Sequence, residues 1–203
     1  GAIVNTTMGQ AVTNVAIRAG NKASLGAADL KNSDVKGAIV TTSAGAALTN
    51  VAIGKDNKAG LASANIEGSN VKGNIINTAA GGAVTNVAIG QGNKANLSAV
   101  DMKNSTIKGN IVNTAAGGAV TNVAIGSNTK ANLSSVDMKD STMKGNIVNT
   151  AAGGAVTNVA IGSNTKSNLS SVDMKNSTMQ GNIVNTAAGG AVTNVAIGSN
   201  YKA

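Results

Sequence analysis

The sequence predicts an all-β fold, a β-solenoid of stacked rungs, on three features. The pentapeptide Thr-Asn-Val-Ala-Ile returns every 36 residues without insertion or deletion, its asparagines at Asn14, Asn50, Asn86, Asn122, Asn158 and Asn194. A fixed period of this length marks units that bury their apolar groups against identical neighbours. Proline is absent from all 203 residues, as expected where nearly every backbone N–H is needed in a strand ladder. The unit is also rich in Gly, Asn, Thr, Ser and Val, which are mediocre or poor helix formers.

Residues 109–144, GNIVNTAAGGAVTNVAIGSNTKANLSSVDMKDSTMK, give the clearest copy. Its short alternating runs predict strands near 110–114, 119–125, 128–133 and 136–143. Gly and Ser/Asn pairs predict turns at Ala115–Gly118, Gly126–Ser127, Ser134–Ser135 and Lys144–Gly145. Period-2 alternation points Val136 and Met138 inward, with Asp137 and Lys139 outward. The apolar phase then slips at Asp140, so that Ser141 and Met143 face in. The same reading of the second strand sets Val120 inward, a slip at Asn122, and Val123 and Ile125 inward. Asn tolerates left-handed backbone, so this asparagine is expected to be a corner residue stacked with its copies into an amide ladder.

The 36-residue unit also carries an internal echo: Asn110/Asn128, Val120/Met138, Asn122/Asp140 and Ile125/Met143 lie 18 apart. The repeat is therefore read as two 18-residue rungs. Lys22, Lys58, Lys94, Lys130, Lys166 and Lys202 recur in every copy and are expected to form an exposed ladder. Charges stacked at about 4.8 Å would repel, and two rungs per repeat would separate them to roughly 10 Å. The whole chain, 1–203, reads as one solenoid domain with repeats 1–36, 37–72, 73–108, 109–144, 145–180 and a partial 181–203.

Composition narrows function. There is no Cys, His, Trp or Phe, and the only aromatic is Tyr201. The commonest general bases, thiol nucleophiles and transition-metal ligands are missing, so the expectation is a non-enzyme without metal or cofactor. A net charge of +8 from 16 basic and 8 acidic residues invites a nucleic-acid reading. Against it, no aromatics exist to stack bases, and the lysines spread over every repeat. No apolar run approaches 18 residues, so no membrane-spanning helix is expected. The chain opens Gly1-Ala2-Ile3, which reads as a processed, mature product or a trimmed one.

Both ends read as interior repeats that can stack. Residues 109–144 and 145–180 differ only at Ala131/Ser167, Asp140/Asn176 and Lys144/Gln180. Residues 181–203 differ from 145–167 only at Tyr201 and Ala203. Open stacking edges template further addition, and a head-to-tail contact that does not close makes a filament. Gly1, Ala2 and Ile3 at one end, with Ser199, Asn200 and Tyr201 at the other, are the candidate subunit contacts. With 18-residue rungs, Ser199–Ala203 would overhang and lap onto the next copy.

The run Asn86-Val87-Ala88-Ile89-Gly90-Gln91-Gly92-Asn93 resembles the repeat core of Fap-type functional amyloids, and its Asn-x-Ala is loosely similar to curlin repeats. The resemblance implies a secreted biofilm fibre subunit whose β-arch rungs stack along the fibre axis. Thr121–Asn128 resembles head repeats of trimeric autotransporter adhesins, which have a shorter period. The leading expectation is an extracellular structural subunit, exported by a bacterial-type route, that polymerises with itself head to tail, with a cell-surface nucleator as a further partner. The alternative is a β-roll adhesin head or passenger domain that displays a Lys/Thr/Asn face to a surface ligand. Regular Thr-x-Thr rows for ice binding and Gly-Gly-x-Gly-x-Asp repeats for calcium are absent.

Overall fold

A computed structural model describes residues 1–164 and 166–199, and every regular element among them is a strand. The strands form four parallel sheets that run along one axis. The wide first sheet holds Ile3–Met8 with Ala11–Ala19, then Ile39–Lys55, Ile75–Gln91, Ile111–Ser127, Ile147–Ser163 and Ile183–Ser199. The second holds Lys22–Leu25, Lys58–Leu61, Lys94–Leu97, Lys130–Leu133 and Lys166–Leu169. The third holds Ala28–Lys31, Ala64–Glu67, Val100–Lys103, Val136–Lys139 and Val172–Lys175. The fourth holds Asp34–Lys36, Asn70–Lys72, Thr106–Lys108, Thr142–Lys144 and Thr178–Gln180.

Register fixes the layer length. Ile111 lies against Ile147, Asn122 against Asn158, Lys130 against Lys166 and Met138 against Met174, always 36 residues apart. One repeat is therefore one flat coil, not two 18-residue rungs. Val120 and Met138 are both buried, but on different faces of the same coil. Left-handed residues set the corners that close the 36-residue perimeter: Asn128 (φ 53°), Ser134 (φ 48°) and Asp140 (φ 49°). Asn, Asp and Ser hold that conformation with help from short polar side chains.

The turn expected at Ala115–Gly118 is a bend inside one continuous strand. Ile111, Asn113 and Ala115 point inward, and so do Val120, Asn122 and Ala124, so inward parity changes across Gly117–Ala119. Glycine is required there by close approach: a Cβ on Gly117 would meet the Gly81 carbonyl oxygen of the preceding coil at 2.5 Å. Gly126 is more constrained still, with φ at 127° and the Gly90 carbonyl 1.9 Å from where a Cβ would sit.

Three apolar strips fill the interior. Val100, Met102, Ile107 and Ile111, with their copies, pack the third and fourth sheets against the start of the long strand. Leu97, Ala115, Val120 and Leu133 fill the middle. Ala88, Ala95, Ala124 and Ala131 close the narrow end, where only methyl groups fit between the first and second sheets. Val136, Met138, Ser141 and Met143 face inward as expected, and Asp140 makes the phase slip. The second expected slip does not occur. Asn122 sits mid-strand pointing inward, and Val123 and Ile125 face outward, half-covered by their copies above and below.

Candidate functional site

The recurrent asparagine forms a ladder through the interior rather than a corner. Asn14 donates through Nδ2 to Asn50 Oδ1 at 2.9 Å, and the same bond links Asn50 to Asn86, Asn86 to Asn122, Asn122 to Asn158 and Asn158 to Asn194 at 2.9–3.0 Å. Each amide also ties the first sheet to the second. Asn86 reaches Ala95 O in its own coil and Asn132 O in the next, both at 3.0 Å. A buried amide is costly unless satisfied, and in-register copies satisfy it without water. Left-handed tolerance plays no part, because none of these asparagines has positive φ.

Two further ladders escaped the sequence reading. Thr41 donates to Asn77 at 2.6 Å, and Asn77, Asn113, Asn149 and Asn185 continue the chain at 2.9 Å. Asn113 Nδ2 also holds the Ser135 carbonyl at 3.1 Å, pinning the corner between the second and third sheets. On the second sheet Asn168 donates to Asn132 and Asn132 to Asn96, each at 3.0 Å. Recurrence at 36 marked all of them, but an inward polar residue between apolar neighbours gives no alternation signal of its own.

The expected exposed lysine row is an ion-pair row for most of its length. Lys22, Lys58, Lys94, Lys130 and Lys166 stack one per coil, at the spacing that was expected to be too repulsive. Carboxylates from the third sheet offset that repulsion. Lys94 pairs with Asp101 of its own coil and, at 3.2 Å, with Asp137 of the next; Lys130 pairs likewise with Asp137 and, at 3.3 Å, with Asp173. Lys166 pairs with Asp173, and Lys22 with Asp29 at 2.5 Å. Lys94 and Asp137 each keep only 17% of their side-chain exposure. In the second coil Asn65 replaces the aspartate, and Lys58 stays exposed without an ion-pair partner among the described residues.

The electrostatics follow from this alternation. Burial pushes Lys94 toward its neutral form, but Asp101 and Asp137 outweigh it and hold the pKa above the ordinary lysine value. Burial pushes Asp137 and Asp173 upward, and the flanking lysines overcome it, leaving both below the usual carboxylate range. On the open surface Glu67 is lowered by its hydrogen bond from Lys103 at 2.9 Å.

The remaining cations stand in two rows. Lys31, Lys103, Lys139 and Lys175 share one register position on the third sheet, where Glu67 takes the second coil. Lys36, Lys72, Lys108 and Lys144 share one on the fourth. All eight are exposed. A groove of about 500 Å³ runs along the axis between the ion-pair row and the third-sheet lysines.

At one end, Gly1 and Ala2 are exposed and Ile3 is half-buried against the second coil, pairing with Ile39. Ser199 continues the wide sheet in register with Ser163. Asn200, Tyr201 and Lys202, and with them most of the expected overhang, lie outside the described residues. Among the described residues no helix is long and apolar enough to cross a membrane. No family model matches the sequence, and no curated protein or solved structure matches it.

Proposed function

We propose that this protein is a secreted structural subunit that stacks head to tail into an extracellular amyloid-like or pilus-like fibre. The observation that carries the reading is the translational identity of the coil-to-coil interface. Each coil donates amide hydrogen bonds to the next and accepts them from the one before, in the same register from Asn14 to Asn194. A coil of a second copy meets the same donors, acceptors and apolar rows as a coil of the same chain. Such a contact is heterologous and does not close, so it propagates. The protein acts as a scaffold and not as a catalyst, in keeping with a chain that lacks His and Cys. The likeness of Asn86–Asn93 to functional amyloid repeats supports an extracellular setting.

One observation favours the adhesin alternative: the outward lysine rows form a regular face that the fold itself does not use. Electron microscopy of the purified protein in non-denaturing buffer separates the two. Long unbranched fibres that shorten their lag when fragments are added support stacking. Discrete monomers or trimers at every concentration favour the adhesin head.

A further inference from the structure

We infer that the third and fourth sheets bind an extended acidic polysaccharide along the solenoid axis. The argument starts from where charge is placed. Residues 37–54, 73–90, 109–126, 145–162 and 181–198, which carry the wide sheet from the second coil on, contain no Lys, Arg, Asp or Glu, and the charges of that sheet are Arg18 in the first coil and Lys55 at a strand end. In the ion-pair row, five described lysines face four aspartates and nearly neutralise one another. Apart from the aspartates already spent in that row, the third and fourth sheets and the corner between them hold eight exposed lysines against Asp34, Glu67 and Asp140, an excess of five positive charges.

Most of these lysines are uncompensated. Only Lys103 has an ion-pair partner within the described residues. Neighbours along a row lie about one strand spacing apart, about 4.8 Å, inside the screening length of about 8 Å at physiological salt. The same molecule shows how a stacked lysine row is neutralised, by setting an aspartate opposite the lysine in four of five coils. It does not do so here. A linear polyanion laid along the axis would relieve the repulsion and release its own counterions.

The groove beside the third-sheet row selects among polyanions. Its floor is the ion-pair row, where the carboxylates of Asp101 and Asp137 alternate with the ammonium groups of Lys94 and Lys130. Alternating acceptors and donors suit a chain of hydroxyl-bearing sugars. No aromatic ring lines the groove to stack a base, which disfavours a nucleic acid. The apolar side chains of these sheets point into the core, so nothing here enters a lipid layer. A polyuronate, with carboxylates for the lysine rim and hydroxyls for the floor, matches both parts. At least one of these lysines stands on each of the first five coils, so the inference stands whether or not copies stack into fibres.

The test is isothermal titration of polygalacturonate into soluble parental protein, with dextran, single-stranded DNA and phosphatidylserine vesicles as separate arms. The rim variant is Lys103→Gln/Lys139→Gln/Lys175→Gln. Its control is Arg18→Gln/Lys55→Gln, which lowers net charge away from these sheets. Circular dichroism confirms the fold of each. The expected result is salt-sensitive polygalacturonate binding, no dextran binding, and about a tenfold or greater loss of affinity in the rim variant against less than about twofold in the control. Equal loss in both variants would reduce the effect to net charge and overturn the site. Tighter binding of DNA or vesicles than of polygalacturonate would overturn the ligand class, and unchanged affinity in the rim variant would overturn both.

Discussion

Each coil is divided into two unlike halves. The 17-residue strand of the wide sheet, Ile111–Ser127 in the fourth coil, is free of charge, and its stability comes from close backbone approach, an amide ladder and methyl packing. The three short strands that follow, Lys130–Leu133, Val136–Lys139 and Thr142–Lys144, turn at left-handed corners and, with the corner residue Asp140, carry every charge of that coil. The same stacking geometry governs both, yet it has opposite consequences. Identical amides stacked at about 4.8 Å satisfy one another, because each is both donor and acceptor. Identical ammonium groups at that spacing repel, and need either an interleaved carboxylate or solvent. The uncharged half thus ties one coil to the next within the chain, while the charged positions face outward and admit variation, as Asn65, Glu67 and Gln180 show at positions otherwise held by Asp and Lys.

The comparison breaks most directly at Gly126. Gly126→Ala combines positive φ with a clash on the Gly90 carbonyl and should cost about 4 kcal/mol or more, or abolish the cooperative transition in chemical denaturation. Next comes the ladder. Asn122→Leu removes the ladder acceptor of Asn86 and the ladder donor of Asn158, and takes a donor from the Ala131 and Asn168 carbonyls, which should cost about 3–5 kcal/mol at about 1–3 per unsatisfied buried group. Its outward neighbour provides the control: Thr121→Ser should stay within about 0.5 kcal/mol. Equal losses for the two would show that inward placement of the asparagine does not decide stability.

In the charged half the expected effects are smaller and depend on pH. Asp137→Asn leaves Lys94 and Lys130 short of a shared partner and should cost about 1.5–3 kcal/mol, the range for hydrogen bonds to charged groups; Lys58 opposite Asn65 already shows the alternative, a lysine left exposed to solvent. The folded pKa of Asp137 and Asp173 is depressed, so their stabilisation is complete above the unfolded carboxylate value of about 3.9 and is lost as pH falls through the folded values. Lys94 is raised, so its contribution is complete below about 10.4 and lost as pH climbs through its folded value. Denaturation midpoints should therefore be flat from about pH 5 to 10 and fall on both sides, with a shallower acid limb in Asp137→Asn. The smallest effect belongs to the lysine rows: Lys139→Gln should change stability by less than about 0.5 kcal/mol.

The repeat period, the all-strand character, the inward set Val136, Met138, Ser141 and Met143, and the stacking of Asn122 with its copies were legible in the sequence. Layer length was not. Val120/Met138 at 18 residues reflects two inward positions on different faces, and alternation within a strand carries no information about how many strands close a coil. The direction of Val123 and Ile125 was misread for a related reason. Apolar residues were assumed to point in, whereas in-register stacking half-covers an outward valine or isoleucine and makes an inward asparagine affordable. The pairing of Lys130 with Asp137, seven residues on, spans the corner at Ser134, and becomes visible only once that corner is placed.

Stacking itself is tested most directly by X-ray diffraction from aligned fibres. If copies add end to end, the strand spacing of about 4.8 Å must lie along the fibre axis, since all four sheets run along the solenoid axis. A 4.8 Å reflection perpendicular to the fibre axis would mean that copies associate side by side, and would contradict head-to-tail assembly.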